Sequence, residues 1–327
     1  MKFQWLPIAV AVSIFSLVAP AKAQSPDYPS GPVRLVVPYP PGGGVDGMAR
    51  PLAERLSALW GKPVIVENKP GAATIIGSDF VAKSKPDGLT LLFTSDSSIT
   101  SNPHLYDKLP FDPMKDLVPV TQLIDLYQMV VVHPSVKANT MKELVELAKS
   151  EPKPMNYGSY GAGSQPNLLF EALKRQTGMQ MTHIPYKGIA PAIQATLANE
   201  VQATLGGAAT TGGHVKAGKM KALAIASETR SSLQPDVPTL REAGFAEISM
   251  RAWFGILAPK GTPANVLNKI SQDVAQVMAN PEFDATQVTG KGFGRVAGSP
   301  EAFAKMIADD FAQKGKVIKE AGIKVDQ

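Results

Sequence analysis

The sequence has 327 residues, a formal net charge of +5 and no cysteine, and 44% of its residues are hydrophobic. The absence of cysteine excludes disulfides, thiol nucleophiles and thiolate metal sites together. The basic residues are scattered along the chain. This distribution is typical of a solvated surface with a mild preference for anions, and it argues against nucleic-acid binding.

The first 23 residues are typical of an export signal. Lys2 supplies a basic start, residues 5–18 form an almost unbroken apolar stretch, and Ala21-Lys22-Ala23 provides a small-x-small cleavage pattern. The apolar stretch is shorter than the ~20 residues that a membrane-spanning helix needs. We therefore expect a periplasmic protein that begins at Gln24 and, without a cysteine to carry lipid, has no lipid anchor.

After residue 24, short β-branched runs alternate with amphipathic segments, which predicts an α/β fold with mostly parallel sheets. The first predicted strands are residues 33–37, 64–66 and 90–94, with helices at 46–60 and 72–83. The middle strands are 128–133, 155–157, 182–185, 201–205 and 222–226, with helices at 140–149, 167–177 and 190–199. A strand at 252–258 and helices at 263–278 and 300–322 complete the chain.

This order of elements predicts two α/β domains, the second inserted into the first. Residues 24–126 and 231–327 form the predicted domain 1, and residues 127–230 form domain 2. Such a chain crosses between its domains twice, which makes a hinge and a cleft. Ligands of open α/β sheets bind beyond the carboxyl ends of the strands, so strand-to-helix loops should line that cleft.

Each predicted domain has a glycine-rich segment between a strand and a helix, at residues 39–46 and 157–164. Glycines allow successive backbone N–H groups to converge without Cβ atoms, and the helix start adds partial positive charge. Two such segments facing each other predict a site that holds a carboxylate from both sides. The alternative interpretation is that each is only a tight turn.

The first glycine segment also fits a dinucleotide-binding fingerprint. Gly42-x-Gly44-x-x-Gly47 follows a strand, opens a helix and precedes Glu67 by about 20 residues. An exported NAD-dependent dehydrogenase is therefore an alternative. The prolines at positions 38, 40 and 41 lengthen the junction between strand and glycine, which argues against it.

The chain resembles the substrate-binding proteins of tripartite tricarboxylate transporters, also called the Bug receptors. The resemblance runs in family order over essentially the whole mature chain. The matching segments are Tyr28-Pro29-Ser30-x-Pro32-Val33-Arg34, residues 38–44, Val66-Glu67-Asn68-Lys69-Pro70-Gly71-Ala72, Pro86-Asp87-Gly88-x-Thr90-Leu91-Leu92, Asn102-Pro103-x-Leu105-Tyr106, Val132-His133-Pro134-Ser135, His183-x-Pro185-Tyr186-Lys187-Gly188, Pro235-Asp236-Val237-Pro238-Thr239 and Trp253-Phe254-Gly255.

This resemblance implies a two-domain clamshell of the type II periplasmic-binding-protein kind, which closes on a small organic acid. It implies a membrane permease of a small and a large subunit as partner. From the residues themselves we expect no cofactor, no metal and no catalysis, and we also expect a monomer. The implied ligand-binding residues are Tyr39, Gly42, Gly43, Gly44, Val45, Asp46, Ser95, Ser97, Ser98, Ser159, Tyr160, Ala162, Gly163, Ser164, Gln165, Asn167, Tyr186, Gly206 and Gly207.

Three departures from the family pattern bear on the ligand. Val45 stands where a hydroxyl residue is usual, and Gln165-Pro166-Asn167 replaces a Ser/Thr-rich helix start. Gly206-Gly207 falls where many members carry an aspartate. In the family this aspartate is associated with ligands that bear an amino group. Together these favour a dicarboxylate or an aromatic acid over an amino acid. Arg251 is a tempting carboxylate partner for which we expect a structural role instead.

The residues that catalysis needs are not grouped in the sequence. Ser159 and Ser164 lie in a glycine segment, but neither completes Gly-x-Ser-x-Gly. The four histidines are isolated from one another and form no metal-binding motif. A serine hydrolase stays open as a second enzyme alternative, because triads assemble from residues that lie far apart in the chain.

Overall fold

A computed structural model describes residues 28–248 and 250–325 of the chain. The predicted export signal lies outside these residues. The strands are β1 Val33–Val37, β2 Val64–Asn68, β3 Thr90–Ser95, β4 Leu117–Leu126, β5 Gln128–Val132, β6 Met155–Ser159, β7 Met181–Pro185, β8 Ala203–Gly207, β9 Lys221–Ile225, β10 Trp253–Pro259 and β11 Phe293–Arg295.

The α-helices alternate with these strands along most of the chain. They are α1 Gly44–Trp60, α2 Ile75–Ala82, α3 Asn102–Leu105, α4 Pro113–Asp116, α5 Met141–Ser150, α6 Gln165–Thr177, α7 Ile189–Leu197, α8 Ala208–Lys216, α9 Ala264–Met278, α10 Pro281–Phe283 and α11 Pro300–Ala321. Short 3₁₀ or π turns cover Ala72–Thr74, Ser97–Ser101, Asp284–Val288 and Thr289–Lys291.

The strands form two separate sheets. The first has six strands in the order β11-β4-β10-β3-β1-β2, and the second has five in the order β7-β6-β8-β5-β9. The α/β class is confirmed, but the expectation of mostly parallel sheets is wrong, because β10 and β5 are antiparallel to both of their neighbours. The cause is the double crossing: β4 leads out of the first sheet and β10 leads back into it, so the two run in opposite directions side by side.

Most predicted elements are confirmed to within a few residues, and the exceptions have local causes. Strands β4 and β11, helix α8 and the short helices α3, α4 and α10 were not predicted from the sequence. The predicted helix at 72–83 begins only at Ile75, because Ala72, Ala73 and Thr74 all have positive φ angles. Such left-handed backbone interrupts a right-handed helix.

Each sheet has its own apolar core. The core of the first is built around β1, β3 and β10 with α1 and α9 packed on them. The core of the second includes α5 and α6 on β5, β6 and β8, and it also takes in Val317 and Ile318 from α11. The final helix therefore contacts both units.

The segment between β9 and β10 stays with the second sheet for longer than the predicted boundary at residue 231 implies. Thr239 pairs with Ile225 in a parallel bridge, and Leu240, Phe245 and Met250 are buried in the second core. The division into domains stays a prediction, and this packing favours placing the second crossing next to Arg251.

Candidate functional site

A cavity of about 610 Å³ lies between the two sheets. It is bounded by the loops that follow β1, β3 and β6 and by the starts of β5 and β10. Its lining residues are Tyr39, Pro40, Pro41, Gly42, Gly43, Gly44, Val45, Ser95, Asp96, Ser97, Ser101, Leu126, Gln128, Tyr160, Gly163, Ser164, Gln165, Ala252 and Phe254.

The first glycine loop is braced by a buried carboxylate. Gly42 has a φ of +85°, and its N–H donates to Oδ2 of Asp46 at 2.9 Å. Arg50 and Asn68 donate to the same carboxylate. Burial alone raises the pKa of Asp46, but the hydrogen bonds from Arg50, Gly42 and Asn68 outweigh burial and hold that pKa below its usual range. Asp46 thus shapes the loop and does not line the cavity.

The second glycine loop repeats this arrangement. Gly163 has a φ of +74°, and its N–H donates to Oδ1 of Asn167 at 2.9 Å. The amide of Asn167 donates in turn to the hydroxyl of Tyr157. A side chain at Gly163 would be strained by the positive φ and would displace Leu105, since a Cβ atom there would lie 2.5 Å from Cδ1 of Leu105. In both loops a left-handed glycine is followed by one extended residue, Gly43 or Ser164, and then by the helix.

Two helix N-termini therefore meet at one cavity. The lining includes Gly43 and Gly44 at the start of α1, and Ser164 and Gln165 at the start of α6. The first N–H groups of a helix have no partner within the helix, and the helix dipole adds positive potential there. Among the described residues no lysine, arginine or histidine lines the cavity. The arrangement is suited to an anion held by backbone amides.

A group of hydroxyls forms another wall. The hydroxyl of Tyr39 lies 2.7 Å from Oγ of Ser95 and within hydrogen-bond distance of Ser97 and Ser98. Ser98 is buried behind the others and also bonds Thr94. Because hydroxyls both donate and accept, this wall can bind carboxylate oxygens or ligand hydroxyls.

Asp96 places a carboxylate on the same wall, next to a fully buried lysine. Nζ of Lys314 lies 2.7 Å from Oδ2 of Asp96 and 2.9 Å from Oδ2 of Asp310. These two carboxylates hold the pKa of Lys314 above its usual value in spite of burial. Burial raises the pKa of Asp96. The positive charge of Lys314 lowers that pKa, and the negative charge of Asp310 raises it further.

Gln165 connects this cluster to the second sheet. Its Nε2 atom donates to Oδ2 of Asp96 at 2.6 Å and to the backbone oxygen of Arg251 at 2.8 Å. Arg251 itself binds both carboxylate oxygens of Asp125, which matches the structural role expected for it. The start of α6 is therefore tied to the first unit at the edge of the cavity.

The structure brings only part of the predicted site together. Tyr39, Gly42, Gly43, Gly44, Val45, Ser95, Ser97, Tyr160, Gly163, Ser164 and Gln165 line the cavity, whereas Asp46, Ser98, Ser159, Ala162, Asn167, Tyr186, Gly206 and Gly207 do not. For Gly206 the reason for glycine is packing, because a Cβ atom there would lie 2.5 Å from Thr211. The part of each residue in ligand binding stays a prediction.

Ser159 has a histidine partner but lies away from the cavity. Its Oγ is 2.5 Å from Nε2 of His183, the contact that a serine hydrolase needs. However, Ser159 is completely buried and its hydroxyl is also bonded to Gly161. Partial burial lowers the pKa of His183. The described residues also hold no group of three metal-ligating side chains.

Several lining residues are not among the predicted ligand-binding residues, and Asp96, Gln128 and Phe254 are the most informative of them. The Oε1 atom of Gln128 is buried and has no hydrogen-bond partner among the described residues. Gln128 is the first residue after the crossing from the first sheet to the second, a position at which a polar side chain could have been recognised as facing the cleft. Unpaired buried amides in native proteins call for a partner, here water or ligand.

Replacing Gln128 by methionine should weaken ligand binding about fivefold and leave the melting temperature of the free protein unchanged or higher. One neutral hydrogen bond contributes roughly 1 kcal/mol, and the side-chain oxygen has no partner to lose in the free protein. Isothermal titration and thermal melting measure the two effects. Gln122→Met is the control: its Nε2 donates to Asp125, so that variant should lower the melting temperature instead.

Comparison with known proteins identifies a family that matches most of the chain. The family model described as "Tripartite tricarboxylate transporter family receptor" matches residues 48–323. The chain is 35% identical to protein BugT of Bordetella pertussis over 322 residues, which cover 97% of each chain.

Two solved structures with bound ligands are also similar. A protein of R. palustris, solved with adipate, has a TM-score of 0.75 and 29% identity and covers 91% of this chain and 100% of its own. MatC from Rhodopseudomonas palustris, solved with bound malate, has a TM-score of 0.70 and 27% identity, with coverages of 89% and 100%. Within the described residues no helix is long and apolar enough to cross a membrane.

Proposed function

This chain belongs to the tripartite tricarboxylate transporter receptor family, and on that premise we propose that it captures a small organic acid in the cavity between its two sheets and delivers it to a membrane permease. It is a periplasmic solute-binding receptor. The observation that carries the proposal for the site is the convergence of two helix N-termini on a cavity with no cationic side chain in its described wall.

The ligand's carboxylate is bound by the amides at the starts of α1 and α6, with hydroxyls from Tyr39, Ser95 and Ser97 beside it. Relatives solved with adipate and malate support a small acid with one or two carboxylates. Phe254 and Val45 supply apolar contact for the carbon chain. Because one loop comes from each sheet, a ligand bound by both loops stabilises the closed arrangement of the two units.

The proposed function also includes the export of the protein, its oligomeric state and its partner in the membrane. We propose export by residues 1–23, absence of a lipid anchor, action as a monomer, and a permease with a small and a large subunit, for which the sequence and the family are the support. We also propose binding without catalysis, which the burial of Ser159 away from the cavity supports.

A thermal-shift screen against organic acids, amino acids, aromatic acids and NADH tests the function. A ligand at ~100 times its dissociation constant should stabilise the protein by about 2.7 kcal/mol, which is several degrees of melting temperature. We expect a shift with one class of carboxylate, and no hydrolysis of p-nitrophenyl acetate. A shift with NADH alone, or ester turnover that Ser159→Ala abolishes, would overturn the receptor in favour of an enzyme.

A further inference from the structure

Asp96 presents one carboxylate oxygen to the cavity. Both of its side-chain partners, Gln165 and Lys314, donate to the same oxygen, Oδ2. Among the described residues, Oδ1 has no hydrogen-bond partner. The side chain is 6% exposed, and the residue belongs to the cavity wall. An acceptor is therefore fixed in place at the wall with one oxygen available to a ligand.

The buried cluster behind this wall contains more carboxylates than cations. It contains two carboxylates, Asp96 and Asp310, and one ammonium group, Lys314. The three N–H bonds of Lys314 are taken by Asp96, Asp310 and Thr100. Lys314 thus has no donor left for a ligand, and the cluster has one carboxylate more than it has cations.

Asp96 also lies close to the amides that meet the ligand's carboxylate. Gln165 is the first residue of α6, and its own side chain reaches Asp96. The Asp96 carboxylate therefore lies no farther from this helix N-terminus than the glutamine side chain of Gln165 can reach. A group on the carbon next to the ligand's carboxylate falls within that distance.

We propose that Asp96 is a specificity-determining residue that accepts a hydrogen bond from a donor next to the ligand's carboxylate. This inference rests on the proposed function and narrows its ligand class. The preferred ligand is a 2-amino or 2-hydroxy acid, and the ammonium group binds more tightly because it balances the surplus charge of the cluster. A carboxylate or an unsubstituted chain at this point lacks the donor.

Asp96 is not the position at which the sequence suggested that a preference for or against an amino group on the ligand is set. On sequence grounds the absence of a carboxylate at Gly206-Gly207 favours ligands without an amino group. Neither of those glycines lines the cavity, whereas Asp96 does. The carboxylate that accepts a hydrogen bond from the ligand's donor group thus lies in the loop after β3.

The test is isothermal titration with acids that share a carbon skeleton and differ at one substituent. The probes are succinate, malate and aspartate, then glutarate and glutamate, and then 3-phenylpropionate and phenylalanine. In whichever set binds, we expect the substituted acid to bind at least tenfold more tightly than the unsubstituted one, with ammonium ahead of hydroxyl. In Asp96→Asn that preference should fall to less than threefold.

Asp310→Asn is the matched control, because it removes one carboxylate from the same cluster but leaves the acceptor on the cavity wall. It should keep the preference for the substituted over the unsubstituted acid, and lose only the advantage of ammonium over hydroxyl that comes from the surplus charge. If Asp96→Asn does not fold, Asp96→Ser replaces it, and the ranking of probes by the unaltered protein tests the proposal by itself. Tighter binding of the unsubstituted acids, or a preference that survives in Asp96→Asn, overturns this inference alone. Binding of no acid at all overturns the proposed function and this inference with it.

Discussion

Replacing Lys314 by methionine should lower the free energy of unfolding by about 3–5 kcal/mol, the usual cost of removing one partner from a buried ion pair. Lys314 has 0% exposure, and its ammonium is the counterion of both Asp96 and Asp310. Without it, two carboxylates stay buried with one charge each. Chemical denaturation followed by circular dichroism measures the loss.

The loss of unfolding free energy in Lys314→Met should also become smaller as the pH falls. In the variant, burial and mutual repulsion favour the protonated carboxyls, so their folded-state pKa values lie above those of the unfolded chain. Groups with raised pKa values stabilise the folded state more as the pH falls. The stability difference between Lys314→Met and the unaltered protein should therefore be smaller at pH 5 than at pH 8.

Lys305→Met is the matched control on the same helix. Lys305 pairs with Asp309 at the same i,i+4 spacing, but both side chains are mostly exposed. Such a pair contributes about 1 kcal/mol or less. If Lys314→Met costs no more than Lys305→Met, the buried cluster does not stabilise the fold as described.

Replacing Gly44 by proline should weaken binding of the acid by at least tenfold. Gly44 is the first residue of α1, where proline is favoured, and Gly43 before it is extended with a ψ of 172°, as a residue before proline requires. Proline removes the backbone N–H that we assign to the ligand's carboxylate. A hydrogen bond to a charged group contributes about 1.5–3 kcal/mol.

Gly44→Ala separates the lost N–H from the added side chain. A Cβ atom at Gly44 lies 3.6 Å from the ring of Phe254, which is an ordinary contact, so alanine keeps both the fold and the amide. Calorimetric titration of the two variants, with thermal melts of the free proteins, measures the effect. Equal affinities for Gly44→Pro and Gly44→Ala would show that this amide does not bind the ligand.

The glycine loops were predictable because their chemistry is local. A strand, a run of glycines and an amphipathic helix follow one another directly in the sequence, so the facing helix starts could be inferred. The bracing roles of Asp46 and Asn167 were missed, although both stand four residues after a left-handed glycine. That repeated spacing is a signal that sequence alone contains.

The Asp96 cluster was not predictable in full, because its parts are 218 residues apart. Periodicity could have indicated half of it: Asp310 and Lys314 fall at helical spacing between the buried Ile307 and Val317 of α11, which places two charges on an apolar face. Their partner on the loop after β3 is known only from the tertiary structure. Strand β4 was missed for a similar reason, since its role as the exit strand of the first sheet depends on long-range pairing with β10.

The most direct measurement is a crystal structure of the protein with the acid that binds most tightly in the thermal-shift screen. We expect a carboxylate between the starts of α1 and α6, with its oxygens about 3 Å from backbone nitrogens of both loops, and the cavity enclosed by the two units. A ligand bound outside this cavity, or a carboxylate held by a lysine or arginine side chain instead of the loop amides, would contradict it.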